Sequence, residues 1–117
     1  MINYTVTESD QFLKDVEEIA VWILISNIEQ SESLAEKKVD EFNAEIIALK
    51  ARLRIFPESG DAENTTGIRN FPLYSGRYSA KWIIDYAGKT VNLIAIVDSK
   101  YPKSLREIYL DDDFEEE

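Results

Sequence analysis

The chain has no cysteine and no histidine, and only four glycines, three prolines and one methionine among 117 residues. Without cysteine there is no disulfide framework and no thiolate chemistry, and nothing calls for an oxidising compartment. Without histidine, serine–histidine triads, imidazole acid–base catalysis and nearly all zinc sites are excluded. No acidic cluster has the spacing of a carboxylate-held magnesium site, so neither metal nor cofactor is expected. The longest apolar run, Ile19–Ile25, has seven residues, far below the roughly 20 that span a bilayer. The opening MINYTVTESD lacks the basic-then-apolar pattern of a secretory leader. The expectation is a cytoplasmic protein with no membrane partner. Positive charge is also short. Lys and Arg number 13 against 23 Asp and Glu, a net charge of −10, and an evenly spread excess of that sign repels phosphate-rich partners.

The excess is not evenly spread. Residues 1–64 carry six Lys or Arg against fourteen Asp or Glu, a net −8. Residues 65–110 carry seven against three, a net +4, and the end DDDFEEE carries six acids and no base. A basic stretch therefore lies between two acidic ones. Hydrophobic residues make up 44% of the chain, enough for one core, and the length suits one domain. We expect that domain over residues 1–110. Residues 111–117 read as a solvated, disordered tail. A sharper reading has the tail folding over the basic strands as a phosphate mimic, anchored by Phe114.

Ile2, Tyr4 and Val6 alternate as in a short half-buried strand. Ser9 is placed to cap a helix carrying Phe12, Val16, Ile19 and Ile23 at helical spacing, fading between Asn27 and Ser31. Ser33 and Glu36 have capping-box spacing. Behind them Ala35, Val39, Phe42, Ile46, Leu49, Leu53 and Phe56 recur at steps of three and four, up to Pro57. So short a connection makes the two helices an antiparallel hairpin. Residues 58–67 read as a polar loop. The period then changes to two: Ile68–Tyr74, with Pro72 marking an edge or bulge, a strand from Tyr78 to Tyr86, and a central strand from Thr90 to Val97. Residues 104–110 suit a short strand or a helical turn. The fold class expected is α+β, with the helical hairpin packed on one face of a small, mainly antiparallel sheet in the order β-α-α-β-β-β. Trp22, Trp82 and Phe71 are expected in the core.

Chemistry, if any, falls to the cations and tyrosines of the later strands: Arg69, Arg77, Tyr78, Lys81, Lys100, Tyr101, Lys103 and Arg106. Lys81 alternates with Trp82, so helices covering Trp82 leave Lys81 on the opposite, open face, and Arg69 is expected to join it there. Cations and aromatics on an open sheet hold phosphates and stack bases. Ordinary solvated strand charges give the same pattern. A site of this kind cleaves RNA without metal, because the nucleophile is the RNA's own 2′-hydroxyl and the protein supplies only acid, base and positive charge.

VEEIAVWI in the first helix, LRIFPESG closing the second, GIRNFPLYSGRYSAKWIID through two strands and VNLIAIVDSKYPKSL beyond them, taken together and in order, resemble the RelE/ParE superfamily of bacterial toxins. The likeness covers nearly all of residues 2–105. It implies the toxin of a type II toxin–antitoxin pair, a class linked to plasmid stabilization and growth inhibition and neutralised by a cognate antitoxin that folds on binding. RelE-like members cut mRNA on the ribosome without metal, and ParE-like members poison DNA gyrase. In this resemblance Arg69 matches the second-strand Arg and Tyr78 the aromatic opening the third strand. Lys100 and Tyr101 fall where cleaving members place an Arg or aromatic after the fourth strand. Ser79 stands where ribonuclease members carry Arg, the second strand lacks their dense lysines, and Lys100 cannot make the bidentate phosphate contact of an Arg. The expectation is therefore a ParE-like toxin whose functional face comprises Arg69, Arg77, Tyr78, Lys81, Lys100 and Tyr101. A metal-independent mRNA endonuclease and a non-toxic antitoxin-binding module are the alternatives. Homodimer and toxin–antitoxin heterotetramer are the assemblies expected.

Overall fold

Ser9 converts an extended segment into a helix: its Oγ accepts the Phe12 N–H at 3.0 Å, satisfying one of the free donors of the first turn. In the computed structural model, which describes residues 3–63 and 66–99, this cap joins β1 (Thr5–Glu8) to α1 (Asp10–Ile28). Three residues lead on to α2 (Glu32–Ile55). The cap of α2 is Ser31, which takes the Leu34 N–H at 3.2 Å, and not Ser33. Nothing between Ser31 and Leu34 breaks a helix, so the turn starts at the earlier serine. Four strands follow: β2 (Asp61–Ala62), β3 (Ile68–Leu73), β4 (Tyr78–Asp85) and β5 (Thr90–Asp98). The α+β class, the hairpin of helices and the mainly antiparallel sheet are all as expected. The two-residue β2, inside the stretch read as loop, is an addition.

The sheet order is β1-β5-β4-β3-β2. The β1–β5 pairing is parallel and the other three are antiparallel. The helices cover one face, and Phe12, Ile19, Ile23, Phe42, Leu49 and Leu53 of the helices meet Leu73, Ala80, Trp82, Val91, Leu93 and Ile96 of the strands in one core. Trp82 is fully buried, and its indole N–H donates to the Pro57 carbonyl at 2.9 Å, so its one polar group is satisfied. Trp22, expected in the core, is 42% exposed. At about 100° per residue it falls about 65° from the centre of the inward stripe Phe12, Asp15, Ile19, Ile23, at the edge of the covered face. Phe56, the last member of the α2 seam, is 65% exposed because it lies beyond the helix, at φ −126° and ψ 75°, where the period no longer holds.

An unforeseen irregularity organises β5. Lys81 pairs with Ala95 and Trp82 with Leu93, so Ile94 is an extra residue, a β-bulge. The slip reverses the side-chain parity. Val91 and Leu93 point inward before it, and Ile96 and Asp98 point inward after it. The first turn of α1 holds the bulge in place. Ser9 donates its N–H to Leu93 O at 2.9 Å and its hydroxyl to Ile94 O at 3.0 Å. Asp15, 2% exposed, accepts the Ile96 N–H at 3.0 Å on one oxygen and the Gln11 amide at 2.8 Å on the other. We expect Asp15→Ala to lower unfolding free energy by about 2 kcal/mol or more, the cost of stranding a buried N–H. Gln11→Ala should cost markedly less. Urea unfolding of both variants measures the difference.

Candidate functional site

Which side chains reach the open face is settled by register. Cross-strand partners share a face, and Arg69 pairs with Trp82 whereas Asn70 pairs with Lys81. Arg69 is therefore on the helix side, not beside Lys81 as expected. The alternation of β4 placed Lys81 correctly, but the offset between strands cannot be read from one strand alone. On the covered side Arg69 holds the segment after α2. Its Nη2 donates to Glu58 O at 2.9 Å and to Gly60 O at 2.7 Å. The packing there admits only glycine at position 60, since a Cβ would lie 2.1 Å from the Asn70 carbonyl oxygen and 2.6 Å from the Trp82 ring.

Tyr78 also turns inward. It is buried against Phe42, with ring centroids 6.2 Å apart, and beside Tyr74 at 6.1 Å. Its cross-strand partner Asp98 is buried and receives Arg77, whose Nε and Nη2 donate to Asp98 Oδ2 at 3.2 and 3.1 Å. The Arg77 guanidinium lies 5.7 Å from the Tyr78 ring centre. Burial pushes the Tyr78 phenol above its ordinary pKa, Arg77 partly opposes this, and Asp98 and Tyr74 add to it. Tyr74 is raised by burial and by Glu41 and Glu45. Tyr86 is raised first by its hydrogen bond to Glu58, at 3.0 Å. In all three the pKa moves further above neutral pH, the opposite of what a tyrosine base requires.

The open face presents Thr5 and Thr7 of β1, Ile68 and Asn70 of β3, Ser79, Lys81 and the exposed Ile83 of β4, and Asn92 of β5. Lys81 is the one cation on its strands among the described residues. It is ion-paired with Glu63, and Asp61 and Asp85 lie on the same face. Among the described residues the basic stretch therefore does not make a basic face. Arg69 is committed to carbonyls, Arg77 to Asp98 and Lys81 to Glu63. Lys89 sits in the β4–β5 turn at φ 51°. Lys100, Tyr101, Lys103, Arg106, the 104–110 segment and the acidic tail lie outside the described residues. Among the described residues there is no group of carboxylates able to hold a metal ion, and no helix is long and apolar enough to cross a membrane.

A second surface lies on the other side, where Trp22 and Ile25 fall off the inward stripe of α1. Val21, Trp22, Ile25 and Ile28 of α1 are 42–58% exposed, although they are large apolar residues. Beside them Ala20, Val21, Leu24 and Val39 line a cleft of about 320 Å³ between the helices, with Glu36 and Asp40 on its rim. The signal was present in the sequence: IAVWILI has more apolar residues than one helix face accommodates.

No family model and no curated protein matches the chain. Solved structures do. A chain of the chromosomal ParDE TA system from P. aeruginosa superposes with a TM-score of 0.59 at 17% identity, over 80% of this chain and 92% of that one. The E. coli toxin RelE, as a mutant in the free state, superposes with a TM-score of 0.55 at 12% identity, over 92% of this chain and 99% of that one. The fold is that of the RelE/ParE toxins.

Two outcomes follow from the buried contacts. Arg69→Met should lower stability by about 2 kcal/mol, the size of hydrogen bonds made by a charged donor, and loosen residues 57–60 in amide exchange. The Tyr78 phenol, raised in the folded state, contributes stability that is full below about pH 10, the unfolded value, and lost as pH climbs through the folded value. Urea midpoints should fall above about pH 10, and less steeply in Tyr78→Phe.

Proposed function

We propose that the chain is the toxin of a type II toxin–antitoxin system, ParE-like in acting by binding a protein target such as DNA gyrase, and silenced by a cognate antitoxin. The observation that carries the choice of target is the charge of the open face: one lysine, already paired, among Asp61, Glu63 and Asp85. An RNA backbone needs several unpaired cations to replace its counterions, and this face offers it none on its strands among the described residues. A protein surface reads hydroxyls, amides and a few charges, which is what the face provides. Lys81 and Arg77 are the residues we assign to target contact; Lys100 and Tyr101, expected to join them, lie outside the described residues. Arg69 and Tyr78 position that contact surface from below. The second reading, a RelE-like ribosome-dependent mRNA endonuclease, draws support from the likeness to the E. coli toxin RelE.

The antitoxin is assigned to the helical hairpin. Its apolar stripe, Val21, Trp22, Ile25 and Ile28, is flanked by Glu17, Glu18, Glu29 and Glu36. An amphipathic segment with basic flanks fits this pattern. Two copies of the chain would set acid against acid, so we favour a heteromeric assembly over a homodimer.

Induction in a bacterium separates the readings. We expect growth inhibition, loss of normal plasmid supercoiling and a DNA-damage response before translation fails. Cleaved mRNA with normal supercoiling would establish the endonuclease instead, and undisturbed growth would leave a binding module. Ile25→Lys, at an exposed position, should weaken the cognate antitoxin at least about tenfold by calorimetry, the scale of a central contact.

A further inference from the structure

Lys81 and Asn70 are cross-strand neighbours on the open face. Glu63 follows β2 and donates its N–H to Ile68 O at 2.7 Å. It stands two residues after Asp61, the partner of Asn70, and so shares that face. One carboxylate oxygen of Glu63, Oε2, takes both the Lys81 ammonium, in a close ion pair, and the Asn70 side-chain amide at 3.4 Å. An ammonium and an amide converging on one oxygen are the donors an incoming oxyanion needs. Ala95, the partner of Lys81 on β5, puts only a methyl group beside them.

We infer that Lys81 and Asn70 form a binding site for a single carboxylate presented by a protein partner, occupied in the unbound chain by Glu63 as an internal stand-in. Asp61 and Asp85 on the same face oppose a second negative charge, which disfavours a run of phosphates. The side chains of Lys81 and Glu63 are 23% and 32% exposed, so one carboxylate can replace another without opening the core. The site takes from the toxin reading only that the target is a protein.

Glu63 competes with an added anion only as strongly as an exposed pair holds, so its removal should raise apparent affinity about two- to sixfold. The probes are acetate and inorganic phosphate, the latter titrated below its second ionisation so that the charges match. The readout is the ¹⁵N signal of the Asn70 side chain. Acetate should shift it saturably in Glu63→Ala, two- to sixfold more tightly than in the wild type, and no longer once Lys81→Met is added. Equal titration of wild type and Glu63→Ala, or a shift that survives Lys81→Met, overturns the site. Phosphate binding more tightly than acetate overturns the carboxylate assignment. Because the titration needs no toxicity, a harmless chain that titrates as expected refutes the toxin reading and leaves the site standing.

Discussion

The rest of the structure depends on the junction between the first turn of α1 and the bulge of β5. Ser9 serves both sides of it: its Oγ accepts the Phe12 N–H, which starts the helix, and donates to Ile94 O, the carbonyl of the extra residue. Asp15, one turn and a half further on, takes the Ile96 N–H. Helix start and strand irregularity are thus one hydrogen-bonded unit, formed between residues some 80 positions apart in the chain. A buried carboxylate is costly unless its oxygens are used, and here both accept hydrogen bonds. The bulge also determines which end of β5 is polar inside. Without the slip Asp98 would face outward, and Arg77 would lose the buried partner that draws it against the end of the sheet.

This arrangement changes what the basic stretch means. Its described arginines, Arg69 and Arg77, act mainly as structural donors. Arg69 fastens the turn after α2 through backbone carbonyls, and Arg77 closes over Asp98 and the Tyr78 ring. Charge counted along a sequence is indifferent to whether a guanidinium faces solvent or a carbonyl oxygen. The open face that results mixes hydroxyls and amides with Ile68 and Ile83 and carries more acid than base, while the larger exposed apolar surface lies on the helices. A molecule so divided has two surfaces of different chemistry, one suited to a polar contact and one to an amphipathic chain.

Much of this was legible in the sequence. Helical spacing from Phe12 to Ile23 and from Ala35 to Leu53 located both helices and their inward stripes, because a period near 3.6 is a property of one segment alone. Alternation about Trp82 assigned Lys81 to the open face for the same reason. What failed was relational. Arg69 was assigned the wrong face because the offset between β3 and β4 depends on the loop joining them. The strand Thr90–Val97 read as one regular central strand, because a bulge that changes its parity midway is invisible to a single period. Trp22 was assigned to the core on residue type, although its position on α1 turns it outward.

Pro72 carries a consequence for the edges of the sheet. It is an exposed residue of β3, with no N–H to offer, and the two residues of β2 cover part of the same strand. That edge is closed to further strands. The opposite edge, β1, is four residues long, and it is the longer unbroken edge on the described sheet that another strand can join. Fibril growth by strand addition requires two receptive edges on every subunit. A sheet with one can pair once and then stop, so a chain rich in β-branched residues is protected from open-ended polymerisation by a single ring that lacks a hydrogen.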